Sequence, residues 1–291
     1  MLETSAAIAR KRALTFLALV TLFSAVAYYF VFHIGFGEKT VLGLMWCPAL
    51  AAFAASMITG RSLREIGWKP GKLKYLLAGW LIPIAYATVA YGAVWITGLG
   101  GVPAQSFLNS AAERLHLQGQ SNLVIALAAF AAIAIVGTLL DLISATGEEI
   151  GWRGFLVPEL TKWLGFRRAA LFSGAFWALW HWPAILFTAY SSGTPRPYEL
   201  ACFSAMVLSI AVLFAWIRLK SKSVWPCALL HASHNAIIQT FFDQITTERG
   251  HTKYFISEFG VALVIPTLII AIWCWRHSAE VEPVNSFAVA A

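Results

Sequence analysis

The chain has 291 residues, of which 59% are hydrophobic and 12% charged, with a mean hydropathy of +0.70. That balance excludes an ordinary soluble domain, in which about a quarter of the residues carry charge. The net charge of +7 does not indicate nucleic-acid binding either, because the basic residues are spread over connecting segments instead of gathered in one stripe.

Crossing a ~30 Å hydrocarbon core takes about 20 apolar residues in a helix. Eight runs of that kind are predicted, at 13–34, 41–59, 75–97, 123–147, 168–189, 200–217, 224–242 and 257–275. The expected fold is all-α, a polytopic membrane protein with about eight transmembrane helices in one domain over residues 1–277. A disordered cytoplasmic tail is expected over 278–291. Arg10-Lys11-Arg12 ahead of the first run and Ala25-Val26-Ala27 inside it imitate a signal peptide, but the apolar sequence continues through Phe32, so the run reads as an uncleaved anchor. Segment 60–74 is a basic loop broken by Gly67, Pro70 and Gly71, and 98–122 is the longest outer connection.

With the N-terminus inside, 16 of the 21 basic residues fall on the inner segments, among them Arg61, Arg64, Lys69, Lys162, Arg168, Arg218 and Arg276. The outer segments keep Lys39, Arg114, Arg196, Arg249 and Lys253. This bias orients a multi-pass protein and predicts both termini in the cytoplasm. Cys47, Cys202, Cys227 and Cys274 all lie in predicted spans without metal-ligand spacing, and read as small packing residues.

Against this apolar background, three segments carry polar chemistry at membrane depth, where ionisable groups are expensive and mark function. The first is Thr146-Gly147-Glu148-Glu149-Ile150-Gly151-Trp152-Arg153. If the fourth helix continues past 147, Glu149 and Arg153 lie four apart on one face and can pair. Glu148, turned by about 100°, has no such partner and is the candidate general base. The second is His181, about 20 Å along its helix from the inner end and next to the bend expected at Pro183. The third is His231 with Asn235, four apart on one face, two candidate donors to a developing oxyanion. His234 reads as structural or peripheral, and Asp141 as an interhelical hydrogen-bonding group. A cavity open to the cytoplasm would collect these groups.

The pattern resembles the CAAX protease and bacteriocin-processing family of intramembrane endopeptidases, which includes the Ras-converting (type II) CAAX prenyl proteases. Glu148-Glu149 with Arg153 matches the family's Glu-Glu-x-x-x-Arg motif, His181 the aromatic-x-x-x-His motif, and His231 with Asn235 the His-x-x-x-Asn motif. The resemblance covers about 120–245. It departs from the pattern at Trp177, where phenylalanine is usual, a change that touches cavity shape and substrate preference. The resemblance implies Glu148 and His181 as the water-activating pair and His231 and Asn235 as the oxyanion site. The implied activity is hydrolysis of a membrane-associated or lipidated peptide or protein.

No cofactor is expected. A zinc-dependent version is the near alternative, since two histidines and a glutamate are a plausible zinc set, although no His-Glu-x-x-His pair is present. A non-catalytic transport or immunity protein that binds a peptide is the alternative from another class. The expected partners are the substrate and membrane lipid, without nucleic acid. The expected location is the cell (inner) membrane.

Overall fold

The computed structural model describes residues 2–282. Its helices are α1 (Leu2–Ile34), α2 (Glu38–Thr59), α3 (Leu73–Ile96), α4 (Gln105–Arg114), α5 (Asn122–Leu164), α6 (Phe166–Phe187) and α7 (Arg196–Ser221). Then come α8, which starts as Trp225–Asn235 and runs on through a π-helical turn (Ala236–Phe242) to Ile245, and α9 (Val264–Arg276). Among the described residues the architecture is all-helical, with one isolated β-bridge between Gly101 and Thr247. Helices α1, α2, α3, α5, α6 and α7 are long and apolar enough to cross a membrane.

Several boundaries differ from the sequence expectation. Helix α5 does not stop at 147 but continues to Leu164, through π-helical turns at Ile133–Gly137 and Ile150–Leu156. The outer connection 98–122 contains the amphipathic α4, whose Leu108, Ala111 and Ala112 are buried at helical spacing. The helix expected as the eighth span, α9, starts at 264, not 257, and has 13 residues, because the chain turns back at Ser257, which has a φ of 64°, and at Gly260. The expected tail begins as an ordered turn, Ser278–Glu280, tied down by Lys220 to Glu280 at 2.6 Å and by the Phe166 amide donating to Glu282 at 3.0 Å. Residues 283–291 of that expected tail lie outside the described residues.

Helix α5 is central because its glycines let neighbours approach. Gly147 and Gly151 are four apart on one face. A Cβ on Gly147 would come 2.8 Å from the Met45 carbonyl oxygen, and one on Gly151 would meet Pro48 at 2.4 Å. In lipid, where the hydrophobic effect does not drive helices together, such small-residue contacts are what allow close packing. On another side of α5, Phe16 of α1 stacks on Phe155 at 5.3 Å and meets Trp152 edge-on at 5.7 Å.

The end of the bundle that carries the basic loops is closed by a buried ion cluster. Glu159 Oε1 accepts from Arg61 and from Lys162, both at 2.9 Å, and Arg12 lies 3.7 Å from the other oxygen. Arg218 donates to the carbonyls of Arg153 at 2.8 Å and Ile66 at 3.0 Å. Burial pushes the nearby Glu65 carboxyl up, but Lys162 and Arg61 outweigh it and hold its pKa below the usual glutamate value. Removing one member of a buried ion pair strands the other. Glu159→Ala is therefore expected to destabilise the protein by about 3–5 kcal/mol, read as a large drop in the thermal midpoint of the detergent-solubilised protein, with Glu159→Gln intermediate.

Candidate active site

The Glu-Glu pair sits on α5 where the α-helix passes into the π-helical turn Ile150–Leu156, an irregularity that often marks functional positions. Glu149 and Arg153 meet as the spacing predicts, with Arg153 Nη1 2.8 Å from Glu149 Oε1 and both side chains 0% exposed. The same oxygen takes a second contact from His231 Nδ1 at 3.0 Å. The Arg153 guanidinium lies 4.0 Å from the ring centroids of Trp177 and Phe214. Glu149 thus links α5 to α8 and aims the His231 ring.

Among the described residues Glu148 has no cationic partner, as expected, but it is not left without hydrogen bonds. Its Oε2 accepts from the indole N–H of Trp177 at 2.7 Å and of Trp152 at 3.2 Å. Trp177 is a hub: besides Glu148, its ring lies 5.9 Å from that of His181 and 5.6 Å from that of His231, and its carbonyl accepts from His181 Nδ1 at 2.9 Å. A carbonyl partner makes His181 Nδ1 the protonated nitrogen and leaves Nε2 as the basic one. The departure at Trp177 therefore reaches the hydrogen bonding of Glu148 as well as the shape, since phenylalanine has no N–H to offer that carboxylate.

One cavity of about 190 Å³ is lined by Glu148, His181, His231 and Asn235. Glu149 and Arg153 stand behind it, outside the lining. The other wall residues include Tyr28, Phe36, Met45 and Tyr190, which belong to the bundle end carrying the 35–37 and 188–195 connections. Arg61, Glu159 and Arg218, at the end that carries the basic loops, are buried and lie outside this lining.

His234 lines the same cavity and has both ring nitrogens engaged, Nδ1 with the Tyr86 hydroxyl and Nε2 with Glu258 Oε1 at 2.9 Å. Tyr190 donates to the other Glu258 oxygen. Sequence reasoning missed Glu258, although a lone carboxylate inside the run 257–275 was the available signal. It also missed Trp152 and Trp177 as donors. Asp141, expected to bond across helices, is half-buried and contributes its backbone carbonyl to Ser144 at 3.0 Å; among the described residues its carboxyl makes no hydrogen bond. The four cysteines are free and buried.

Among the described residues no three His, Cys, Asp or Glu side chains converge in a way that could hold a metal ion. The donors around Glu148 are indole N–H groups, which suit a carboxylate and would not serve as metal ligands.

Residues 123–237 match the family model described as type II CAAX prenyl endopeptidase, Rce1-like. The CAAX prenyl protease 2 of Methanococcus maripaludis is 30% identical over 133 residues, which is 44% of this chain and 46% of that protein. The chain thus spans about half the length of the curated relative it matches. The segment that matches that model, residues 123–237, carries Glu148, Glu149, Arg153, His181, His231 and Asn235, so what this chain shares with the type II CAAX prenyl endopeptidases includes every residue of the candidate site.

Proposed function

We propose that this protein is an intramembrane endopeptidase that hydrolyses a peptide bond in a membrane-associated or lipidated peptide or protein. The observation that carries this reading is the single cavity lined by Glu148, His181, His231 and Asn235. Glu148 Oε1, the oxygen not taken by the two indoles, receives the proton of a water that His181 Nε2 helps to orient. The water oxygen attacks the scissile carbonyl. His231 and Asn235 donate to the tetrahedral oxyanion, and the proton held by Glu148 passes to the leaving amine. Donation from His231 Nε2 requires a proton there while Nδ1 faces Glu149. The Glu149 carboxylate, 3.0 Å away, balances the resulting imidazolium.

The basic loops favour an orientation with both termini in the cytoplasm. The substrate then reaches the site from the opposite half of the membrane.

The test is cleavage of a quenched fluorescent peptide library by purified, detergent-solubilised protein, with and without a zinc chelator. Cleavage unchanged by the chelator is expected. Activity that is lost on chelation and restored by zinc would replace the glutamate–histidine mechanism with a metal-dependent one. On a cleaved peptide, Trp177→Phe is expected to lower kcat about tenfold, the value of one hydrogen bond to a charged group. KM should move little. An unchanged kcat would remove the indole N–H from the mechanism.

A further inference from the structure

A second, open cavity of about 670 Å³ lies beside the first, between α4, the π-helical turn of α5 at Ile133–Gly137 and the π-helical turn of α8 at Ala236–Phe242. The two cavities share Gln239. The two turns come together at Gly137, where an added Cβ would lie 3.5 Å from that of Ala236, next in the chain to Asn235. Along one wall Ser106, Ser110 and Arg114, spaced four apart, present one face of α4. Gln239, Thr240 and Gln244 line the other side, and Ala129, Ala132 and Val136 supply an apolar wall. Ser106, Ser110, Gln239 and Thr240 are exposed.

We infer that this groove binds an extended, apolar peptide segment of the substrate and leads it past Gln239 to Glu148, an assignment that rests on the endopeptidase reading. An extended backbone in the membrane has lost its internal hydrogen bonds and needs partners along its length. The hydroxyls and carboxamides of this groove are such partners. A hydrocarbon tail would bury the same groups without satisfying them, which is unfavourable. The small side chains at Ala129 and Ala132 leave room for substrate side chains.

The experiment places the photoreactive residue p-benzoylphenylalanine at Ala132 in the full chain, reconstituted in phosphatidylcholine vesicles. The probe is a biotinylated leucine–alanine peptide long enough to enter one leaflet. Mass analysis of the adduct distinguishes peptide from lipid. A peptide adduct is expected, and it should fall about fivefold in Gln239→Leu, the loss of roughly one intramembrane hydrogen bond. Exposed Ser110→Ala repeats the test should Gln239→Leu fold poorly, and thermal midpoints of both variants are read alongside. A lipid adduct alone, or a peptide adduct indifferent to both substitutions, overturns the groove. Cleavage of the peptide library is measured on the same reporter protein. Cleavage without the adduct strikes the groove and spares the protease, whereas the adduct without cleavage keeps the groove as a binding site and strikes the protease.

Discussion

Glu148→Gln is expected to lower the rate of peptide hydrolysis about a thousandfold while leaving the fold intact, within the range typical of a positioned general base. The amide keeps the shape of the side chain and an oxygen that can still accept from Trp177 and Trp152, so the two indole contacts at 2.7 and 3.2 Å survive. What disappears is the capacity to take a proton from water. Losing a base that acts only in the reacting complex lowers kcat and kcat/KM together and leaves substrate binding alone. The measurement is steady-state cleavage of one library-derived peptide, beside a thermal melt of both proteins. A variant that melts like the wild type and cleaves at more than about a tenth of its rate would remove Glu148 from the base role.

Asn235→Ala is expected to cost about a hundredfold or more in kcat, the effect of removing one oxyanion donor in a preorganised site. Asn235 separates this term from structure better than His231 does. The His231 ring holds Glu149 at 3.0 Å in a fully buried pair with Arg153, so His231→Ala disturbs a charged network along with the oxyanion site. Asn235 is half-buried on the cavity wall and can be truncated without breaking an ion pair. The check is kcat and KM for Asn235→Ala on the same peptide. A rise in KM with kcat unchanged would assign Asn235 to ground-state binding.

The motif residues were legible because their spacing is local. Glu149 and Arg153, and His231 and Asn235, sit four apart, and a helix converts that interval into a shared face. The convergence of three distant segments was readable only through resemblance, since periodicity says nothing about which helices meet. The indole of Trp177 shows the limit: its partner Glu148 is 29 residues away on another helix. Trp152, four residues after Glu148, could have been found by the spacing rule that paired Glu149 with Arg153. The π-helical turns leave no composition signal, yet they set the phase of Arg153 and of the residues after Asn235. Glu258 was hidden for a different reason: the run 257–275 is apolar enough to read as a span, whereas its first residues form the turn that carries the carboxylate to His234.

The central claim is that Glu148 activates water to cut a peptide bond in this cavity. Its most direct test is mass spectrometry of peptide products formed in oxygen-18 water by the purified wild-type protein and by a folded Glu148→Ala variant. New carboxyl termini carrying the heavy oxygen are expected with the wild type and none with the variant. Equal cleavage by both proteins, or no new termini from the wild type with any peptide of the library, would contradict it.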